Sequence, residues 1–377
     1  MKEKIFKEGE IVFNTYEVVK LLNSGGMGNV YKVKHLKIPK FFALKQLKVE
    51  QYRNVFIESF ISEISILKFL KHPNIAKFYD SFYYNNNFFY VMEFIEGTDI
   101  RDFFKKNDVN EEKIYKYFIM SLNAIDYLHS KSIIHRDIKP SNILIDYETD
   151  MIKVIDFGIS NLLSSQVVFV SPGYSPPEQY QKLPPQPFND IFSLGMTFLE
   201  LISGIKPENH KNGFDTLSHQ KYVEMAVNKS KDKVSPLFLD ILRKCVEIDY
   251  NPPKRFQNTQ EIISKLANYN FKIDNSYIVD FYDYIGKVED FFDKVENLFK
   301  DYFGRRFIGN EIQRAVDMMV IKVVDTVDFS VFLFFEGKKL MVYLVPLLGK
   351  SVLVEEQEID RLEANVILKA MEIGGLV

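Results

Sequence analysis

The hydrophobic period of this chain changes twice, and that constrains its fold more than any other feature. Up to Glu93 the apolar residues fall in short runs bounded by turn residues. Tyr16–Val33 predicts two strands around a Gly-rich turn, and Phe41–Leu47 a further strand carrying one lysine. Ile75–Tyr84 and Asn87–Glu93 predict a pair joined at Asn85-Asn86-Asn87. Between them, Phe56, Phe60, Ile64, Leu67 and Leu70 give Arg53–Leu70 helical spacing. From Asp99 to Ala267 the pattern is mostly helical, with short extended pieces around Ile143–Val154. A strand-rich part followed by a helix-rich part predicts two lobes with a cleft between them. The 377 residues leave room for one further small domain.

That further domain begins after a polar, irregular stretch, Asn268–Ser276. Phe281, Ile285, Val288, Phe292, Val295, Phe299 and Tyr302 then alternate spacings of four and three, a heptad stripe on one long helix. The pattern predicts a second helix over Glu311–Val323 and a hairpin of Val327–Phe335 with Leu340–Val345. It closes on a last helix from Glu355 to Met371, ended by Gly374-Gly375. The stripe serves either as a dimer contact face or as the surface that packs on the domain's own hairpin, and the second is the simpler. The expected layout is an N-terminal extension (1–15), a catalytic unit (16–267), a linker (268–277) and an α+β domain (278–377) with a regulatory or dimerisation role.

Composition narrows the partners. A net charge of −3 leaves no broad basic field, which argues against nucleic acid or anionic membrane as the main partner. The single cysteine, Cys245, excludes an internal disulfide and a thiolate zinc cluster; it fits a reducing compartment and a buried helix position better than a redox sensor. Met1–Glu10 alternates Lys and Glu without an apolar core, unlike a signal peptide. The longest apolar stretches are broken by Lys322, Asp325, Asp328 and Lys350, so no membrane span is expected and the location expected is cytoplasmic.

Five local signals carry chemistry. Leu22-Asn23-Ser24-Gly25-Gly26-Met27-Gly28-Asn29-Val30 sets glycines between two strands, where backbone N–H groups can approach phosphate oxygens; alone, such a hairpin is more often only a turn. Lys45, in Ala43-Leu44-Lys45, is costly inside an apolar strand unless paired, and Glu63 on the following helix is an available partner. Stronger are His135-Arg136-Asp137-Ile138-Lys139-Pro140-Ser141-Asn142-Ile143-Leu144, then Asp156-Phe157-Gly158 after an apolar strand, then Ser171-Pro172-Gly173-Tyr174-Ser175-Pro176-Pro177-Glu178.

In this order the five resemble the eukaryotic-type serine/threonine protein kinases, over Tyr16 to Ala267, with bacterial members closest in the Gly-Gly-Met-Gly and Pro-Pro-Glu-Gln segments. The resemblance implies a bilobal α+β fold: a five-stranded antiparallel sheet with one helix, and a larger helical lobe. It implies transfer of the γ-phosphate of ATP, with Mg²⁺ or Mn²⁺, to protein hydroxyls. Lys45 would hold the α- and β-phosphates, Glu63 would hold Lys45, and Asp156 and Asn142 would bind the metals. Asp137 would accept the substrate proton and Lys139 would neutralise the moving phosphoryl group. Lys139, two residues past Asp137, also matches the serine/threonine branch.

Adenine recognition would fall on the Glu93 carbonyl and the Ile95 N–H behind the gatekeeper Met92, between Leu22, Val30, Ala43 and Leu144, with Asp99 near the ribose. The resemblance further implies that Asp190 braces the catalytic loop and that Glu178 pairs with Arg255. Leu67, Phe78, His135 and Phe157 would form the spine linking the lobes.

Asn23 replaces the usual first glycine, and Asn tolerates positive φ. Ser171 keeps a hydroxyl within reach of Asp137 and Lys139. Arg136 before the base implies a loop switched by phosphate, with Ser164 or Ser165 as autophosphorylation sites; the alternative is a loop that orders without one. Two other classes compete: a pseudokinase scaffold, disfavoured because Lys45, Asp137 and Asp156 all stand, and a small-molecule phosphotransferase, which usually lacks a segment like Ser171–Glu178.

Overall fold

The structure, a computed structural model, describes residues 5–25, 28–47, 66–85, 87–156, 170–208, 213–267, 276–303, 311–315, 317–323, 329–336, 338–346 and 351–358. An antiparallel sheet forms the N-terminal lobe. Its strands are β1 (Ile11–Val12), β2 (Tyr16–Gly25), β3 (Gly28–His35), β4 (Phe41–Leu47), β5 (Phe78–Tyr84) and β6 (Asn87–Glu93), in the order β1-β2-β3-β4-β6-β5. The two-residue β1 is one strand more than the sequence pattern offered. Alternation along β4 divides the lobe's core: Phe42 and Leu44 join an outer cluster with Tyr16, Tyr31 and Phe89, while Ala43 and Leu47 face the other lobe. Of the expected helix over Arg53–Leu70, only a one-turn 3-10 segment, Ile66–Phe69, falls within the described residues.

The second lobe opens with β7 (Gly97–Asp99) and α1 (Ile100–Lys106), which the Asp99 side chain caps. There follow α2 (Glu111–Ser130), β8 (Ile143–Asp146), β9 (Ile152–Val154), α3 (Pro177–Tyr180), α4 (Pro187–Ser203), α5 (Thr216–Ser230), α6 (Pro236–Cys245) and α7 (Thr259–Ala267). Helix α4 is buried along nearly its whole length and anchors the lobe. A Cβ at Gly195 would lie 2.7 Å from the Cys245 Cβ, so this contact between α4 and α6 needs a glycine facing a small side chain. Cys245 is fully buried, as the simpler reading expected.

Among the described residues, the last region is one helix and one sheet. Helix α8 (Ser276–Phe303) carries the heptad stripe, with Ile285, Val288, Phe292 and Val295 buried; the side chains of Phe299 and Tyr302 lie outside the described set. Strands β10 (Glu311–Ala315), β11 (Met318–Val323), β12 (Phe329–Glu336), β13 (Lys339–Pro346) and β14 (Val352–Glu358) form a five-stranded meander. The β12–β13 hairpin matches expectation, closed by the pair Glu336 and Lys339. Phe335 on β12 meets Tyr284, Phe291 and Phe292 of α8, so the stripe packs on the domain's own hairpin.

Two expectations fail here. Glu311–Val323 is a strand pair, not a helix: Glu311–Ala315 runs antiparallel to Met318–Lys322, with Ala315 opposite Met318. Residues 355–358 of the expected last helix extend β14 instead, because they complete the meander's edge against Lys339–Val342; the rest of that stretch lies outside the described residues.

Candidate active site

Lys45 is the starting point because its position on β4 buries an ammonium at 6% exposure. Its Nζ lies 2.7 Å from Asp156 Oδ1, although the two residues are more than a hundred positions apart. Tyr90 on β6 donates to the same oxygen at 2.9 Å and sets its ring under the ammonium, 5.7 Å from Nζ. Burial alone would raise the Asp156 carboxyl, but Lys45 and the Tyr90 hydrogen bond outweigh it and hold the group below the usual carboxylate range. Glu63, the partner expected for Lys45, lies outside the described residues, as do Gly26, Met27, Phe157, Gly158, Ser164 and Ser165. Tyr90 was not singled out from the sequence; its place on the inward-facing phase of β6, beside Lys45 on β4, was the available signal.

Asp137 stands in a second cluster. Lys139 Nζ reaches its two carboxylate oxygens at 3.0 and 2.8 Å, and the Ser171 hydroxyl donates to Oδ1 at 2.5 Å. Lys139 also donates to Ser171 Oγ at 2.9 Å, closing a three-membered ring of groups. The Asn142 amide nitrogen donates to Asp137 Oδ2 at 2.9 Å and to its main-chain carbonyl at 2.8 Å. The two clusters are joined through the backbone: Ile155 N–H donates to the Asn142 carbonyl at 2.9 Å, and His135 Nε2 lies 3.1 Å from the Ile155 carbonyl.

Asp190 explains why this loop holds its shape. From α4, its fully buried carboxylate accepts the backbone N–H groups of His135 and Arg136, each at 2.8 Å, and meets His129 Nε2 at 2.8 Å. Burial raises its pKa, yet the His129 hydrogen bond and charges and the backbone donor win, so it stays ionised well into acid. Arg136 and Asp156 both take positive φ, 62° and 55°, which such bracing must sustain. Gln179, not singled out from the sequence, adds a hydrogen bond to the Arg136 carbonyl at 3.1 Å.

Beneath this loop Glu178 and Arg255 form a buried pair at 2.5 Å, with the guanidinium also donating to the carbonyls of Glu247 and Ile248 at 2.6 and 3.0 Å. Burial pulls the Arg255 pKa down, opposed by Glu178. Asn189 supplies Glu178 with a second donor at 2.8 Å.

The glycine-rich turn is held from one side. A Cβ at Gly28, where φ is +148°, would fall 2.0 Å from the Gln46 carbonyl oxygen, so β3 approaches β4 only as glycine. Asn29 is buried; its side chain accepts from Ser24 at 2.7 Å and donates to Gln46 Oε1 at 3.2 Å. It therefore braces the turn. Leu22, Asn23, Ser24 and Gly25 are exposed at the end of β2. Val30, Ala43, Met92, Ile95 and Leu144 are buried or half-buried, with Glu93 at the end of β6. Asp99 spends one carboxylate oxygen on the α1 cap, accepting from Asp102 N at 3.0 Å.

The donor set suits a hard divalent cation. Asp156 brings a carboxylate and Asn142 an amide oxygen, both oxygen ligands of the kind Mg²⁺ takes. Among the described residues no cluster of three or more His, Cys, Asp or Glu could hold a metal ion.

Comparison with known proteins agrees with this geometry. Residues 16–266 match the family model described as the protein kinase domain. Similar curated proteins include the probable serine/threonine-protein kinase nek1 of Dictyostelium discoideum, 30% identical over 71% of this chain and 59% of that one. Probable serine/threonine-protein kinases of Clostridium acetobutylicum (30% identical, 72% of this chain, 42% of theirs) and Clostridium perfringens (32%, 68% and 38%) are also similar. The chain thus spans 38–59% of the length of these relatives. The PknI kinase domain of Mycobacterium tuberculosis shares the fold, with a TM-score of 0.53 at 22% identity over 70% of this chain and 99% of that domain. With two lobes, a Lys45–Asp156 contact between them and a family match across most of its length, the chain belongs to the protein kinase family.

Proposed function

We propose that the chain is an active serine/threonine protein kinase that transfers the γ-phosphate of ATP to protein hydroxyls and also phosphorylates itself. The observation that carries this reading is the joining of Lys45 with Asp156 and of Asp137 with Lys139 and Ser171 in one linked cluster. Mg²⁺, with Mn²⁺ as the alternative, would be held by Asp156 and Asn142 and would offset phosphate charge. Lys45 binds and orients the phosphates of ATP. Asp137 accepts the proton of the incoming serine or threonine hydroxyl at its carboxylate. Lys139 neutralises charge on the group in transit, and Ser171 fixes the direction in which Asp137 faces. The adenine lies against Val30, Ala43 and Leu144, with the Glu93 carbonyl and the Ile95 N–H on its edge.

The braced segment from Ser171 to Glu178 supports a protein substrate rather than a small molecule, because a platform locked by Arg255 suits an extended chain. Arg136 directly before Asp137 supports a loop switched by phosphate on Ser164 or Ser165. A cytoplasmic setting fits a chain in which no helix of the described residues is long and apolar enough to cross a membrane. Residues 278–377 would act as a regulatory unit.

Incubation with radiolabelled ATP, Mg²⁺ and a generic basic protein tests the reading. Label should pass to the basic protein and to the chain itself, and Asp137→Asn should reduce the rate by about 10²–10⁴-fold. Absence of transfer by the wild-type chain under any metal condition would sink it.

A further inference from the structure

The turn between β10 and β11 carries Asp317 out of the C-terminal sheet and into the N-terminal lobe. Its carboxylate is 3% exposed. Tyr79 donates to Oδ1 at 2.9 Å, Lys77 Nζ donates to Oδ2 at 2.7 Å, and Lys40 Nζ lies 3.8 Å from Oδ2. The Asp317 carbonyl accepts from Phe335 N–H at 2.9 Å, which ties the turn back to β12. Such a carboxylate is expensive to bury unless its partners are in place, so its position and theirs are fixed together.

Lys77 passes that position on. Its main chain is bound to Glu93 in both directions: Glu93 N–H donates to the Lys77 carbonyl at 2.8 Å, and Lys77 N–H donates to Glu93 Oε2 at 3.1 Å. Lys153 on β9 holds both Glu93 carboxylate oxygens at 3.2 Å from the other side. Glu93 ends the last strand of the N-terminal lobe, and the chain crosses from there to the second lobe. The docking also has an apolar part. Ile38 of the lobe packs with Val320, Phe332 and Phe334 of the sheet, and His35 meets Phe332 edge-on at 5.4 Å. Apolar contact seats the sheet without specifying direction, whereas hydrogen-bonded charges specify direction at little net gain in stability.

We propose that Asp317 is a positioning residue for nucleotide binding: anchored on the C-terminal sheet, it fixes Lys77, and through Lys77 the Glu93 backbone, so that the seating of this sheet sets the affinity for ATP. The inference rests on the kinase reading for its ligand and on these contacts for its mechanism. It assigns the C-terminal domain a specific task, control of the crossing segment from its outer side.

The test uses the full chain with Asp317→Asn, Mg·ATP binding by titration calorimetry, and amide exchange at Glu93 without nucleotide. The ATP Kd should rise about fivefold or more, Glu93 N–H should exchange faster by a similar factor, and kcat at saturating ATP should stay within about twofold. Lys77→Met should reproduce these effects and Lys77→Arg should largely restore them. An ATP Kd within about twofold of wild type in folded Asp317→Asn overturns the proposal, as does a rise matched by an equal fall in kcat. Should Asp317→Asn fail to fold, the Lys77 pair decides: equal ATP affinity for the Met and Arg variants overturns it. The two readings separate cleanly. A wild-type chain that binds no ATP while Asp317→Asn still frees the Glu93 amide defeats the kinase reading and keeps the coupling; unchanged exchange in a chain that binds ATP does the reverse.

Discussion

Lys45 and Phe335 are both buried on interior strands of antiparallel sheets, yet the sheets are used in opposite ways. The N-terminal sheet packs one face on its own aromatic cluster and turns the other toward the second lobe, and on that face stand Lys45 and Tyr90. The C-terminal sheet has both faces covered. Val331, Leu333 and Phe335 point one way, with Phe335 against α8, while Phe332 and Phe334 point the other, against the N-terminal lobe. A sheet with an open face can present charge to a ligand. One covered on both sides transmits position instead, and the proposal above assigns that task to the turn that carries Asp317.

Four substitutions or conditions sharpen or break this contrast. Lys45→Met should lower kcat/KM by about 10²–10³-fold in a phosphoryl-transfer assay while leaving the chain folded. Phe335→Ala should do the opposite. It should cost about 3–5 kcal/mol in urea unfolding, with kcat measured well below the midpoint changed little. A Phe335→Ala chain of normal stability but poor activity would break the contrast, since the C-terminal sheet would then be doing chemistry.

Acid should act through buried histidines, of which His35 lies at the seam between the regions, against Phe332. Burial, aided by nearby lysines, lowers the pKa of both His35 and His72 to about 4. The unfolded chain, with histidines near about 6.5, therefore binds more protons between the two values, and stability falls as pH drops through that window. Unfolding at about pH 5.5 should show a loss of roughly 1 kcal/mol for each histidine relative to about pH 7.5, levelling off below about pH 4. His219, also lowered by burial, adds in the same direction. Smallest is the half-exposed pair of Lys71 with Glu289 on α8, where Glu289→Gln should shift the melting free energy by less than about 1 kcal/mol. A larger loss would mean that docking depends on surface charge rather than on the apolar contacts around Ile38.

The difference between the two regions also decided what could be read in advance. Polar residues in a cleft are marked by type and spacing, so Lys45, Asp137, Asn142 and Asp156 could be picked out in advance, and the structure joins Lys45 to Asp156 and Asn142 to Asp137. Roles filled by packing are quieter. Asn29, expected among the nucleotide contacts of the glycine-rich loop, has a second role that its type did not announce: its side chain is hydrogen-bonded to Gln46 and Ser24. Ile312, Ala315, Met319, Val320 and Val323 lie at helical intervals, and the stretch nevertheless forms two strands. The β-branched run Val320-Ile321 was the counter-signal, and a sheet offering two apolar surfaces to be covered outweighed the period. That misreading hid Asp317, which as a helical residue would have been one more surface acid. The α8 stripe was legible because a buried helix face leaves a regular mark, whereas a turn that buries one carboxylate leaves none.

The fit of Gly195 against Cys245 has a practical consequence. The only thiol of the chain is sealed between two helices, and burial pushes its pKa far above the ordinary thiol range. Alkylating reagents attack thiolate, so they meet this sulfur only when α4 and α6 part. The rate of its capture is a clock for the breathing of the helical lobe, built into the native protein and needing no introduced label.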